Sequence, residues 1–205
     1  YKRSMREEWY SWLALARIPG VGTKTYVRLI RHFGSPFSVF EAQPEQLKAV
    51  PDLRTLQLPL NLGSKGIRAE VERELGVMEK VGARLVTIKD DNYPANLKKI
   101  EDPPPFLYVK GELRRNDDLA VAIVGSRNAS AYGLSACKNL SSDLSRRGLV
   151  IISGFARGID SAAHWGALES GGRTIAALGC GIDVIYPREN KDLLKRIEAQ
   201  GAVIT

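Results

Sequence analysis

Leu119-Ala-Val-Ala-Ile-Val124 runs into Gly125-Ser126-Arg127, and Leu149-Val-Ile-Ile152 runs into Ser153-Gly-Phe-Ala-Arg-Gly158. These are two copies of one device. Each is a short apolar run, with the length and composition of a strand buried in a sheet, that breaks into small residues carrying one arginine. A helical stretch over 132–146 separates them, so the unit reads strand, loop, helix, strand, loop. An α/β sheet builds anion sites in this way, at the carboxyl ends of its parallel strands.

Toward the C-terminus the alternation continues. A second crossover helix is expected over 160–169, with Asp160 as its N-cap, and a third strand over 174–178. The turn Tyr186-Pro-Arg-Glu-Asn190 then starts a helix over 191–199, and Ala202-Val-Ile-Thr205 opens a fourth strand. This order predicts a parallel sheet with right-handed crossovers. The chain stops as the fourth strand opens, so the sheet is expected to lack a C-terminal part of the natural protein.

Toward the N-terminus, 83–88 and 106–110 read as strands that extend the edge of the sheet, separated by a turn over 90–94 and the stiff segment Ile100-Glu-Asp-Pro-Pro-Pro105. Residues 1–81 read as all helical. A helix over 5–16 presents Trp9, Trp12, Leu13 and Ala16 on one face, and Pro19-Gly20 ends it. Thr23 is placed to cap the next helix, on which Tyr26, Leu29, Ile30 and Phe33 share a face opposite Lys24, Arg28 and Arg31. Short helical pieces follow at 36–42 and 44–50, and a longer helix over 64–81 carries Ile67, Val71, Leu75 and Met78. The turn Ile18-Pro19-Gly20-Val21-Gly22 resembles a helix-hairpin-helix element, whose backbone N–H groups at a helix N-terminus can meet a phosphate. Gly20, Gly22 and Lys24 are therefore secondary DNA-binding candidates. A glycine-capped αα-hairpin without a ligand fits the same residues.

The 205 residues carry a net charge of +7 and a sequence pI near 9.5. Residues 1–110 hold 18 Lys/Arg against 13 Asp/Glu, and residues 111–205 hold 12 against 10, so positive charge is local to both halves rather than a basic tail. No run approaches the roughly 18 apolar residues of a membrane span, and Lys2, Arg3, Arg6, Glu7 and Glu8 replace any signal peptide at the start. A cytoplasmic protein with no membrane contact is expected. Cys137 and Cys180 are too few for a disulfide scaffold. With His32 and His164 they lack metal-ligand spacing, so no metal is expected.

The first loop has no second glycine before Gly133, which fails the G-x-G-x-x-G dinucleotide fingerprint. NAD, FAD and other cofactors are not expected. What remains is an anion site of Gly125, the Ser126 hydroxyl and the Arg127 guanidinium, joined by Gly154, Arg157 and Gly158 of the second loop. Two such loops at adjacent strand ends suit successive phosphates of a nucleic acid strand. Phe155 is a DNA-binding candidate if its ring offers a stacking face, and a core residue if it tucks under the loop. Asp160 and His164, at i and i+4, could form an acid–base pair. A histidine in Ala162-Ala-His-Trp-Gly166 more simply packs between helix and sheet, its nitrogens satisfied by Asp160 or backbone. No nucleophile stands at matching spacing, so no catalytic residue is assigned.

Gly125-Ser-Arg, Tyr132-Gly133, Ser153-Gly-Phe-Ala-Arg-Gly-Ile-Asp160 with His164, and Thr174-Ile-Ala-Ala-Leu-Gly-Cys-Gly-Ile-Asp183 through Tyr186-Pro187 together resemble the DNA-processing protein DprA (Smf) family. The resemblance covers about residues 90–205, and the Ile-Pro-Gly-Val-Gly turn and Phe33-Gly-Ser35 suit that family's N-terminal domain. It implies an α/β protein: a small helical SAM-like domain over 1–81, then a Rossmann-like, mostly parallel sheet domain over 82–205, truncated at its C-terminus. It also implies sequence-independent binding of single-stranded DNA, loading of the RecA recombinase in natural transformation, and no enzymatic activity. In the full-length protein it implies a homodimer, through a part that lies beyond this chain. The alternative is a nucleotide-binding enzyme like the lysine-decarboxylase-like phosphoribohydrolases, whose Gly-Gly-x-Gly-Thr-x-x-Glu signature is not found here. A third reading makes the helical domain a protein-docking module.

Overall fold

The computed structural model describes residues 2–50 and 65–205. They fall into two compact units, Tyr1–Lys80 with Lys99–Phe106, and Val81–Lys98 with Leu107–Thr205. The first is helical: α1 (Lys2–Ala16), α2 (Thr23–Phe33), α3 (Pro36–Glu41), α4 (Pro44–Lys48) and α5 (Lys65–Val81). Residue 64, where the sequence starts the last of these, lies outside the described residues. Trp12 and Leu13 of α1, Tyr26, Leu29 and Ile30 of α2, and Val71, Leu75 and Met78 of α5 are buried, as their helical spacing predicts, whereas Trp9, Ala16, Phe33 and Ile67 of the same faces are only partly buried and Leu15, outside the expected face, is fully buried.

Two details of this unit differ from expectation. The N-cap of α2 is Gly22, with no side-chain cap bond, so Thr23 is the first helical residue and not the cap. The segment 99–106 also packs with the helices, although the sequence assigns it to the sheet domain. The Phe106 ring meets Tyr26 edge-on at 6.1 Å, a contact between residues 80 positions apart that no local pattern announces. Tyr26 is large where a helix-hairpin-helix usually has a small residue, and it is accommodated by stacking on Trp12 at 5.8 Å and donating its hydroxyl to the Trp12 carbonyl at 2.8 Å.

The second unit holds β1 (Arg84–Thr87), α6 (Ala95–Lys98), β2 (Phe106–Gly111), β3 (Ala120–Ala122), α7 (Ala131–Arg146), β4 (Val150–Ser153), α8 (Ile159–Glu169), β5 (Thr174–Ala177), α9 (Lys191–Gln200) and β6 (Ala202–Ile204). The strand order is β1-β2-β6-β5-β4-β3. Strands β3 to β6 pair in parallel and in chain order, and β2 joins β6 antiparallel, so β1 and β2 extend one edge as expected. Crossovers of one hand that always step the same way put α7, α8 and α9 on one face. There Ile151 packs with Cys137, Ala163 and Ala167. On the other face Val150, Ile175 and Ala202 join Val86, Tyr93, Leu107 and Val109. Removing a side chain such as Ile151 from water contributes about 1.5–3 kcal/mol.

The strand over 119–124 is the main correction to the sequence reading. Its regular part is only Ala120–Ala122, and it is the last strand of the sheet among the described residues, paired with β4 alone. Leu119 is 62% and Val124 72% exposed. An apolar run predicts burial on both faces, but burial also requires neighbours on both sides, and those are set by strand order rather than by composition.

Candidate nucleic-acid interface

The parallel pairing of β3 with β4 brings the two glycine–arginine loops side by side at the carboxyl ends of their strands. Ile123 N–H donates to the Ile152 carbonyl at 2.9 Å, and the Ser153 hydroxyl donates to the Ile123 carbonyl at 2.6 Å, which pins the two strand ends together. Beyond them the loops touch directly. Ile159 N–H donates to the Ser126 carbonyl at 3.2 Å. Gly158, at φ 76° and ψ −125°, lies so close that a Cβ there would meet the Ser126 and Arg127 carbonyls, the second at 2.7 Å. A Cβ on Gly125 would come within 2.8 Å of Ile159. Glycine is therefore required here by close approach, and at Gly158 by backbone conformation as well.

Arg127 is exposed, and among the described residues no carboxylate pairs with it. The Ser126 oxygen accepts Asn128 N–H at 3.1 Å, which shapes the turn and leaves the hydroxyl proton available to an anion. Arg157 is also exposed, but its Nε donates to Glu189. That hydrogen bond, with the charge of Glu189, raises the Arg157 pKa and lowers that of Glu189. One arginine is thus free and the other is held by an internal carboxylate.

Phe155 does not offer a stacking face. Its side chain is fully buried, with the ring centroid 6.2 Å from that of His164, and the residue has φ 64°. A left-handed backbone costs a bulky residue roughly 1–2 kcal/mol. Burial of the ring supplies about that much or more, so Phe155 is the anchor under the loop rather than a ligand contact.

The acid–base pair is also absent. Asp160 is the second residue of α8 rather than its N-cap, and its Oδ2 accepts Ala156 N–H at 3.3 Å, closing the loop. His164 is buried, and its Nδ1 lies 2.7 Å from the Thr174 hydroxyl oxygen. Thr174 already donates its proton to the Ile151 carbonyl, so His164 Nδ1 carries the hydrogen and Nε2 is the unprotonated nitrogen. Nε2 has no hydrogen-bond partner among the described residues, and burial lowers the imidazole pKa to about 4. His164 is a neutral core residue satisfied by Thr174, not by Asp160.

In the helical unit, Gly20, Gly22 and Lys24 are exposed at the start of α2, as proposed from the turn. Lys24 is not free, however. Its Nζ lies 3.0 Å from Glu101 and 3.4 Å from Asp102, and the hydrogen bond to Glu101 raises its pKa. Glu101 and Asp102 of the strap 99–106 thus compensate the cationic face that Lys24, Arg28 and Arg31 share, and these five residues line one small depression together with Pro103.

Residues 84–205 match the family model described as DNA recombination-mediator protein A, and residues 6–61 match that of the DprA-like N-terminal HHH domain. The chain belongs to the DprA (Smf) family. It is 33% identical over 198 residues to Protein Smf of Synechocystis, covering 95% of this chain and 50% of that protein. Over 107 residues it is 47% identical to DNA processing protein DprA of Streptococcus pneumoniae, covering 52% of this chain and 38% of that one. The crystal structure of the S. pneumoniae DprA superposes with a TM-score of 0.70 at 29% identity, over 97% of this chain and 66% of that one. A DprA from Helicobacter pylori, solved for its single-stranded DNA binding mode, gives 0.51 at 32% identity over 59% of this chain and 54% of that one. The chain spans about half the length of the curated relatives it matches.

The sequence reading of this DprA-type site missed its third wall. Asn190 Nδ2 donates to the Phe155 carbonyl at 3.1 Å and to Ser161 Oγ at 2.9 Å, which clamps the segment from Tyr186 to Asn190 onto the second loop. This segment brings Glu189 to Arg157 and leaves Tyr186 61% exposed beside it. Tyr132, the second residue of α7, is 84% exposed next to the first loop. Tyr132 and Tyr186 thus stand exposed beside the two loops where Phe155 is buried, an exposure that residue type alone does not announce.

Proposed function

We propose that the paired loops hold consecutive phosphates of single-stranded DNA without reading its sequence, with Gly125, Ser126, Arg127, Gly154, Arg157 and Gly158 forming the track. The observation that carries this is the free, exposed Arg127 on a loop whose backbone touches a second arginine loop. Arginine grips a phosphate bidentately, and such contacts position a strand without specifying bases. Tyr132 and Tyr186 supply sequence-tolerant stacking faces. The single-stranded DNA binding mode reported for the H. pylori relative supports the same ligand.

In this reading the protein is a recombination mediator without a catalytic step. It acts in the cytoplasm as part of a homodimer of the full-length protein, and delivers bound strands to the RecA recombinase during natural transformation. Gly20 and Gly22 add a secondary DNA contact, joined by Lys24 when it leaves Glu101 and Asp102. A labelled oligonucleotide competed with unlabelled single strands of unrelated sequence and with duplex tests the ligand. Single strands should displace it with similar potency and duplex poorly. Equal competition by duplex, or strong preference for one sequence, would count against the proposal.

A further inference from the structure

His164, Trp165 and Gly166 point in three directions from α8. His164 is buried against β5 through Thr174, and Gly166 faces α7, where a Cβ would press on the Lys138 backbone and come within 2.9 Å of Ser141. Trp165 therefore turns outward, onto the exterior of the helical layer. It is half-buried there, with the Arg196 guanidinium 5.1 Å from its ring. A large indole on an outer helix face is not explained by the core.

It lines a shallow groove of about 650 Å³ between α7 and α8, with Leu134, Lys138, Gly158, Ala162 and Glu169 among the other walls. Gly158 is the residue that also joins the two arginine loops, so the groove opens onto the phosphate track. Lys138 and Glu169 pair at 2.7 Å across it, two and three helical turns down, and close its far end. On the helical rise, Trp165 stands about 10 Å from Gly158, within reach of the nucleotides next to those on the loops.

We infer that this groove is a base subsite: a nucleobase of the strand held by the arginine loops turns into it and stacks on Trp165. This rests on the function proposed above and adds a contact to it. The occupant follows from continuity with the track at Gly158 and from chemistry. The groove pairs apolar walls and an aromatic face with the Ser135 and Ser161 side chains, which suits a flat ring with polar edges. Phe155, the aromatic that the sequence offers for this purpose, is buried.

The test uses the whole chain, an oligothymidylate, and an oligonucleotide of equal length and phosphate number bearing abasic sites. Trp165→Ala should weaken oligothymidylate binding by roughly 5- to 150-fold, the range for one stacked base. Trp165→Phe should restore most of it, and this variant also controls for folding. The abasic strand should bind the native protein less well, and that penalty should shrink in Trp165→Ala, where only the tyrosine faces remain for the bases. If Trp165→Ala binds like the native chain, or the abasic penalty is the same in both, the groove does not hold a base and this inference falls. A protein segment in the groove would give that same result. If Arg127→Ala abolishes binding while Trp165→Ala does not affect it, only the groove is refuted. If the native chain binds no oligonucleotide, the track and the groove fail together.

Discussion

Gly158→Ala, compared with Gly171→Ala, separates backbone conformation from loop contact. Both glycines have nearly the same φ, 76° and 77°, but a Cβ on Gly171 meets nothing within 4 Å, whereas one on Gly158 runs into the Ser126 and Arg127 carbonyls. Gly171→Ala should cost only the left-handed backbone, roughly 1–2 kcal/mol. In a chain of this size that lowers Tm by about 2–8 °C. Gly158→Ala adds a backbone collision that side-chain motion cannot relieve, and it must push the two arginine loops apart. Its cost should be at least twice that of Gly171→Ala, on the order of 3 kcal/mol or more, with a fall in oligonucleotide affinity that Gly171→Ala does not show. Differential scanning calorimetry and an anisotropy titration read the two effects. Equal destabilisation by both variants, with oligonucleotide binding unchanged in Gly158→Ala, would refute the claim that contact between the loops builds the site.

The other expectations follow from single contacts. Glu189→Gln removes the carboxylate that holds Arg157, so oligonucleotide binding should tighten and its salt dependence steepen by about 0.7 in log–log slope per phosphate gained; unchanged slope and affinity would place Arg157 off the track. His164 has a pKa lowered to about 4 by burial, so between that value and the roughly 6.5 of an unfolded histidine the unfolded chain binds the extra proton. Stability should therefore fall as pH drops from about 6.5 to 4 and level off below, by about 3 kcal/mol in all, and His164→Gln should flatten that part of the urea-denaturation pH profile; an equally steep profile in the variant would show that His164 is not the group responsible.

The repeated strand–loop–helix pattern was readable from residue types alone, because buried parallel strands and their glycine turns leave a local signature. Ile151 with the helices facing it, and Ile175 on the opposite face, follow it. What local pattern could not give was adjacency. Leu119 and Val124 look buried by composition, yet among the described residues β3 pairs with β4 alone. Glu189 reaches Arg157 from 32 positions away and Glu101 reaches Lys24 from 77, and both contacts decide whether a cation is available. Phe155 had two readings in sequence, and the buried one holds because its left-handed backbone turns the ring under the loop.

The central claim is that Arg127 meets a phosphate of single-stranded DNA, and it is tested most directly by the salt dependence of oligonucleotide binding in the native chain and in Arg127→Ala. The account predicts a linear fall of log affinity with log salt in the native chain and, in the variant, weaker binding with a slope shallower by about 0.7. Identical slope and affinity in the two proteins would contradict it.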